Sequence, residues 1–228
     1  MNDFGKVVRQ PPRASAAEVA ALAQYGVSTV HEAMGRVGLA RPVLRPNYVG
    51  ARLCGTAVTV LSQPGDNWML HAAAEQIREG DVVVMACTTE NTDGYFGELL
   101  ATSYRARGAR GLVIDGGCRD VRELTEMQFP VFARAFSAKG TVKGSVGSIN
   151  VPVVCAGVLV RPGDVVMADD DGVLVVPREH AAAAAEASAK RETKEAATRA
   201  RLSAGELGLD IYGMRDALAK AGLYYVDP

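Results

Sequence analysis

The run Arg110-Gly111-Leu112-Val113-Ile114-Asp115-Gly116-Gly117-Cys118-Arg119-Asp120 reads as an apolar strand, Gly111 to Ile114, that enters a glycine-rich turn and then a helix from Asp120 to Met127. Before it, Val82 to Cys87 is another apolar run of strand length. The segment between them holds a Gly-containing loop and a helix-patterned stretch from Glu98 to about Ala106. After it, Val131 to Ala135 is a further strand. Strands alternating with helices require crossover connections, and therefore a mostly parallel sheet covered by helices: the chain is of α/β class. Toward the N-terminus the pattern predicts a helix from Ala16 to Tyr25, capped by Ser15 and closed by Gly26, and a short helix from Thr29 to Met34. A strand from Arg52 to Ser62 follows, then a helix opened by Asp66 or Asn67 that runs through Ile77 to Gly80.

From Thr141 to Pro177 the character changes to strands joined by Gly, Pro and Asp turns: Val142 to Ser148, Val151 to Val160, Val165 to Ala168 and Val173 to Val176. Arg178 to Glu206 then reads as one Ala-rich, charged helix, with Glu186–Lys190 and Glu195–Arg199 in the favourable i,i+4 order. The chain thus divides into an α/β core, residues 1–177, and a helical extension, residues 178–228. The apolar face of the long helix is almost entirely alanine, too shallow to anchor it in its own core. It packs on a neighbouring subunit or lies solvated on the surface, and the pattern alone does not choose between the two.

Within 228 residues, Lys plus Arg total 25 and Asp plus Glu 26, for a net charge of -1. So even a balance argues against a nucleic-acid-coating surface or a polybasic membrane binder. The longest apolar runs are strand-sized, far short of the roughly 20 residues that span a bilayer. The polar start, Met1 to Lys6, has no export signal, so the cytoplasm is the expected address. Four cysteines, Cys54, Cys87, Cys118 and Cys155, form no Cys-x-x-Cys pair and read as free thiols. The three histidines, His31, His71 and His180, are isolated, so any metal must rely on carboxylates and water. The lysines sit on polar helical faces or in Gly-flanked loops, without the apolar setting that activates an amine.

Two turns can carry chemistry. In Asp115 to Asp120 the glycines allow close backbone approach at a strand's carboxyl end, and Arg119 and Asp120 project together. Such a pair suits a metal-assisted carbonyl reaction: a carboxylate for a hard cation, a guanidinium for a developing oxyanion. The same residues equally suit a helix start capped by Asp120 with Arg119 in a surface ion pair. In Asp93-Gly94-Tyr95-Phe96-Gly97-Glu98-Leu99-Leu100, the first-turn N–H groups of Leu99 and Leu100 offer an anion site, with Glu98 at the same mouth. By contrast, Asp169-Asp170-Asp171-Gly172, between Val-rich strands, reads as a hairpin turn rather than a metal cluster.

These residues resemble a known group. Gly97-Glu98-Leu99-Leu100, Arg110 to Asp120 and Ala168-Asp169-Asp170-Asp171-Gly172-Val173 are similar to the class II pyruvate aldolases related to the regulators of ribonuclease activity A, over roughly Val27 to Val176. Within that family, Thr29 to Arg36 and the tail Gly205-Glu206 through Tyr212 to Arg215 most resemble the 4-hydroxy-4-methyl-2-oxoglutarate/4-carboxy-4-hydroxy-2-oxoadipate aldolases of aromatic-acid degradation. The resemblance implies a four-layer α-β-β-α fold of the swivelling β/β/α kind, homohexamers built from trimers, and a Mg²⁺ or Mn²⁺ site at a subunit boundary. By position, Asp120 would bind the metal directly and Arg119 would contact the keto and enolate oxygen. The backbone of Gly97, Glu98, Leu99 and Leu100 would hold the substrate carboxylate. Glu98, and Glu195 from a neighbouring subunit, would act on the metal through water. The implied reaction is retro-aldol cleavage of a hydroxy-keto acid, with oxaloacetate decarboxylation as a side activity. The competing implication is a non-catalytic regulator that binds an endoribonuclease. Methyltransfer is disfavoured, because no strand is followed by a Gly-x-Gly nucleotide loop.

Overall fold

The ten-residue strand β2 (Leu53–Ser62) joins two halves of the chain. The computed structural model describes residues 4–227; Met1 to Asp3, half of the polar opening stretch, and Pro228 lie outside the described residues. Two helices come first, α1 (Ala16–Leu22) and α2 (Val27–Ala33), then the short β1 (Arg45–Pro46) and β2. Next are α3 (Trp68–Ala73), β3 (Asp81–Cys87), β4 (Gly94–Phe96), α4 (Glu98–Ala106), β5 (Gly111–Cys118), α5 (Val121–Glu126) and β6 (Val131–Phe136). The strand-rich part holds β7 (Ser148–Ile149), β8 (Val153–Cys155), β9 (Val158–Val160), β10 (Val165–Asp169) and β11 (Gly172–Val176). The main sheet runs β1-β6-β5-β3-β2-β10-β11. β2, β3, β5 and β6 are parallel, while β10 and β11 join antiparallel at the start of β2.

Strand periodicity sorts the core into layers, because alternate side chains face opposite sides. Val58, Val60, Val83, Met85, Leu112 and Ile114 face α3, α4 and α5, where Leu70, Tyr104 and Leu124 pack on them. Val82, Val84 and Val113 face the other way and meet Val153, Val160, Val173 and Val175 of the second strand layer. Val165, Met167, Leu174 and Val176, on the outer face of that layer, pack against Leu22, Val27 and Val30 of α1 and α2. Helix, strand, strand and helix layers therefore stack in the expected α-β-β-α order.

Local chemistry explains most element ends. Ser15 and Glu18 form a reciprocal capping box on α1, the Glu18 N–H donating to Ser15 Oγ at 3.3 Å and the Ser15 N–H to Glu18 Oε2 at 2.6 Å. α3 stops at Ala73 rather than continuing to Gly80, because Glu75 and Gln76 tighten into i→i+3 turns on Ala72 and Ala73. β5 runs on through Cys118 instead of ending at Ile114, held extended by pairing with β4 on one side and β6 on the other. Val142 to Ser148 is not a strand before Ser148: the Asp66 carboxylate gathers the N–H groups of Gly144 (2.7 Å) and Ser145 (2.6 Å) and folds the segment into a loop. Val151 to Val160 turns back on itself at Ala156-Gly157, both at positive φ, giving the β8–β9 hairpin.

Asp66 is buried, and burial alone would raise its pKa, yet the N–H groups of Trp68, Gly144 and Ser145 outweigh it and hold the carboxyl below its ordinary value. Its charge therefore stabilises the fold above the unfolded-state pKa of about 3.9 and ceases to do so as pH falls through the lower folded-state value. Asp66→Asn is expected to cost about 1–3 kcal/mol at pH 6. Urea unfolding midpoints of the two proteins should converge as pH falls toward 2.

Beyond a 3₁₀ turn at Arg178–His180, helix α6 spans Ala181–Ser203, three residues short of Glu206, and Gly205 adopts the left-handed conformation just past its end. Its buried residues are Ala181, Ala184 and Ser188. The chain divides into two compact units there, one through Ser188 and one from Ala189. The second unit contains the rest of α6, α7 (Gly208–Ile211) and α8 (Arg215–Lys220), with a 2.6 Å ion pair between Arg201 and Glu206. Among the described residues no helix is long and apolar enough to cross a membrane.

Candidate active site

β4 and β5 lie side by side and parallel, Gly94 opposite Gly117 and Phe96 opposite Cys118. Their carboxyl ends therefore deliver the N-terminus of α4 and the pair Arg119-Asp120 to one place. The Arg119 N–H donates to the Phe96 carbonyl at 2.8 Å, which locks the two turns together. Asp120 sits at the N-cap position of α5 in left-handed conformation (φ 57°), but its side chain does not cap that helix. It reaches across instead, and Oδ2 accepts the N–H of Glu98, the first residue of α4, at 3.0 Å. The capping alternative for Asp120 is thereby answered: the carboxylate serves the neighbouring turn.

The next N–H groups of that helical turn, on Leu99 and Leu100, have no acceptor among the described residues, while Ala101 N–H already bonds to Gly97. Leu100 is buried in the core and steadies the turn from below, whereas Leu99 stands exposed. Gly97 has extended backbone, so its need for glycine is one of space: a Cβ there would lie 2.2 Å from Asp120 Oδ2 and 3.1 Å from Arg119 Cγ. Arg119 and Asp120 are both partly exposed, with Nε 3.7 Å from Oδ2. They border a cleft of about 370 Å³ lined further by Val121, Phe136, Ser137 and Ala138.

Gly97, the backbone of Glu98 to Leu100, Arg119 and Asp120 are thus brought together. The Glu98 carboxylate takes another course, accepting Thr102 Oγ1 at 2.9 Å one turn along its own helix. Glu195 belongs to the second unit, where it pairs at 2.7 Å with Arg191 rather than standing toward Arg199. Gly116 and Gly117 are strand residues, not part of an open ligand loop. A Cβ on Gly117 would meet the Thr92 carbonyl at 2.3 Å, and one on Gly116 would meet the Tyr95 ring at 3.3 Å. Asp115 is structural, accepting Arg134 Nε at 2.6 Å and the Ala156 N–H at 2.7 Å. The segment 137–140 was not foreseen as part of the site. It bonds to both turns: Ser137 N–H donates to the Cys118 carbonyl, and Gly94 N–H to the Lys139 carbonyl. Lys139 in turn holds Asp93 at 2.9 Å. The available signal was its place just past the carboxyl end of a strand.

The three-aspartate run is a two-residue hairpin turn, as read, and its carboxylates serve separate groups: Asp169 accepts Val27 N–H, Asp170 accepts Gly50 N–H and Asp171 accepts Ser28 Oγ. No disulfide forms. Burial pushes the Cys54 and Cys87 thiols up to about 11, Cys118 to about 12 and Cys155 higher still, so none is a thiolate at neutral pH.

Among the described residues no three His, Cys, Asp or Glu side chains gather to hold a metal. Among the described residues, Asp120 stands as a single carboxylate whose Oδ1 has no protein partner. That donor set suits a hard divalent cation that keeps most of its ligands as water, as Mg²⁺ does.

Residues 27–175 match the RraA-like family model, described as Aldolase/RraA. A Halalkalibacterium halodurans protein is 34% identical over 135 residues, 59% of this chain and 64% of that protein, so less than two thirds of its length is matched. A Burkholderia multivorans protein is 36% identical over 143 residues, 63% of this chain and 87% of that one. Both carry the provisional name 4-hydroxy-4-methyl-2-oxoglutarate aldolase. The crystal structure of Streptomyces coelicolor RraAS2, described as an unusual member of the RNase ES inhibitor RraA protein family, aligns with TM-score 0.75 at 26% identity, covering 83% of this chain and all of that one.

Proposed function

The chain belongs to the RraA-like, Aldolase/RraA, family, and from that premise we propose that it is a class II, divalent-metal-dependent pyruvate aldolase. Its proposed substrates are 4-carboxy-4-hydroxy-2-oxoadipate, cleaved to pyruvate and oxaloacetate, and 4-hydroxy-4-methyl-2-oxoglutarate, cleaved to two pyruvates, in the cytoplasmic degradation of aromatic acids such as protocatechuate and gallate. One observation supports this reading above the rest: Arg119 and the Asp120 carboxylate border one cleft, and Asp120 is bonded to the first turn of α4, whose Leu99 and Leu100 N–H groups have no acceptor among the described residues. A 2-keto carboxylate needs that combination, anion donors for the carboxylate and positive charge for the keto oxygen.

The Leu99 and Leu100 N–H groups, at the positive end of the α4 dipole, bind and orient the substrate carboxylate. Arg119 donates to the 2-keto oxygen. Asp120 would hold Mg²⁺ or Mn²⁺, with Glu98 and a neighbouring copy's Glu195 acting through water in a homohexamer built from trimers. When bound, the cation supplies Lewis acidity at the 2-keto oxygen. Loss of the C4 hydroxyl proton makes C4 the carbonyl of one product; the C3–C4 bond breaks and its electron pair becomes the enolate of pyruvate, which is then protonated at C3. Among the described residues no His or Lys lines the cleft, so water is the proposed acceptor of the hydroxyl proton. Arg119 interacts most strongly with the enolate oxygen, where charge is greatest, which is the condition for catalysis rather than mere binding.

The same enolate arises when oxaloacetate loses CO₂, so decarboxylation is the test that needs only a common substrate. With Mg²⁺ the protein should convert oxaloacetate to pyruvate above the metal-only rate, and EDTA should remove the excess. The likeness to RraAS2 favours a second reading, a regulator that docks on an endoribonuclease. Stable capture of an endoribonuclease scaffold, with no decarboxylation above the metal-only rate, would support that reading instead.

A further inference from the structure

A cleft larger than the one beside Asp120 lies at the opposite end of the strands, where Asp81 begins β3 and Arg110 precedes β5. It encloses about 520 Å³, within the size range of small-ligand sites. One wall is apolar. Ala16, Val19, Ala20 and Ala23 stand at i, i+3, i+4 and i+7 along α1 and the turn that ends it, so they form one stripe facing the cleft.

The opposite wall carries Arg13, Arg78 and Arg110, of which Arg13 is consumed internally. Asp81, the buried carboxylate on this side, is fully engaged: Oδ1 accepts the Arg13 guanidinium and, at 2.6 Å, the Thr56 hydroxyl, and Oδ2 accepts the Arg78 N–H at 2.8 Å. Glu79 also borders the cleft, with its carboxylate over Gly108, where a Cβ would meet Oε2 at 2.2 Å, so among the described residues the two free guanidinium groups outnumber the one free carboxylate. Among the described residues the guanidinium groups of Arg78 and Arg110 have no hydrogen-bond or ion-pair partner, and both line the cleft. Gly80 leaves room for Arg110, whose Nε lies 3.8 Å from the position of a Cβ there. The positive field extends to the floor: burial raises the Cys54 thiol, and Arg110 and Arg52 offset part of that rise.

We infer that this cleft binds a small amphipathic anion, a carboxylate carried on a compact apolar body. Arg78 and Arg110 hold the carboxylate, for which the guanidinium fork is suited, and the stripe on α1 covers the body. A bare inorganic anion would leave the α1 wall unused, and a neutral apolar solute would leave two guanidinium groups without a counter-charge.

Saturation-transfer NMR titrations of the full chain test this with three probes: benzoate, benzyl alcohol with the same body and no charge, and acetate with the charge and no body. Benzoate should bind at least about ten-fold more tightly than either control. The double variant Arg78→Gln/Arg110→Gln should lose about ten-fold in benzoate affinity, and Ala20→Phe should block the cleft. All three positions are exposed, so the fold is not at risk. Asp120→Asn should leave benzoate binding unchanged. The inference is overturned if benzoate binds no better than benzyl alcohol, if the arginine pair can be replaced without loss, or if Asp120→Asn abolishes the signal. It is also overturned if light scattering shows that Ala20→Phe dissociates an assembly of the wild type, because a second copy would then occupy the cleft.

Discussion

Arg119→Ala should lower kcat for pyruvate release about 10²- to 10³-fold, the loss typical of removing one donor from a developing oxyanion. The fold should survive. The Arg119 side chain is about half exposed, and its ion-pair neighbour Asp120 keeps its hydrogen bond to Glu98 N–H. The backbone N–H that ties Arg119 to Phe96 is untouched by the substitution. An exposed pair of this kind contributes less than about 1 kcal/mol to stability, so the thermal midpoint should move by no more than a few degrees. The larger effect should fall on kcat rather than KM, because the guanidinium acts most strongly on charge that appears during bond cleavage. Arg119→Lys should recover part of the rate, since the charge returns without the planar fork. An unchanged kcat in Arg119→Ala would remove Arg119 from the chemistry.

Gly97→Ala should be as damaging to activity, for a different reason. The backbone at Gly97 is extended, φ −158°, and any residue can adopt it, so no conformational strain is involved. The added methyl group would instead stand 2.2 Å from Asp120 Oδ2 and 3.0 Å from its Cγ. The partly exposed Asp120 side chain can escape outward, and in doing so it gives up the Glu98 N–H and its place beside Arg119. Displacement of a positioned group by about 1 Å commonly costs about 10²-fold in rate. The expected protein is therefore folded and close to inactive, with weakened metal dependence. Gly144→Ala is the control, since a Cβ there meets nothing within 4 Å, and it should be silent. Gly117→Ala differs from both: its Cβ would strike the carbonyl oxygens of Thr92 and Asp93 at 2.3 and 2.5 Å. Those are backbone atoms, so Gly117→Ala should lose stability along with activity.

The helix Glu98 to Ala106 and the strand from Val82 to Cys87 were legible because periodicity, glycine and capping signals agree there. The Asp-Gly hairpin at Asp169 to Gly172 was legible from turn chemistry alone. β4 was not, because a three-residue strand has no period to detect; Gly117 lets the chain at Thr92 and Asp93 lie against β5, and Gly94 lets the Ser137 to Lys139 backbone close over β4. The same contact hid the true end of β5. Glycines inside a strand look like a turn until the neighbour that requires them is known.

At the site, the residue types at Gly97, Arg119 and Asp120 were readable, and so was the exposed first turn of α4. Their connections were not. Nothing local announces that Asp120 bonds to a helix start 22 positions earlier in the chain. Nor does any local signal announce that Glu98 turns its carboxylate to Thr102, or that Ser137 and Lys139 bond to Cys118 and Gly94. Those are consequences of strand order, and strand order is set by long-range packing.

The most direct measurement is pyruvate release from 4-carboxy-4-hydroxy-2-oxoadipate by the wild type and by Asp120→Asn, each with Mg²⁺ and with EDTA. Asp120→Asn preserves shape and an acceptor for the Glu98 N–H while removing the charge that would hold the cation. The expected result from the wild type with Mg²⁺ is pyruvate and oxaloacetate in equal amounts at first, with pyruvate then exceeding oxaloacetate as the latter is decarboxylated, and loss of release both in EDTA and in the variant. No pyruvate from the wild type with Mg²⁺, or full release by Asp120→Asn, would contradict a metal-dependent aldolase centred on Asp120.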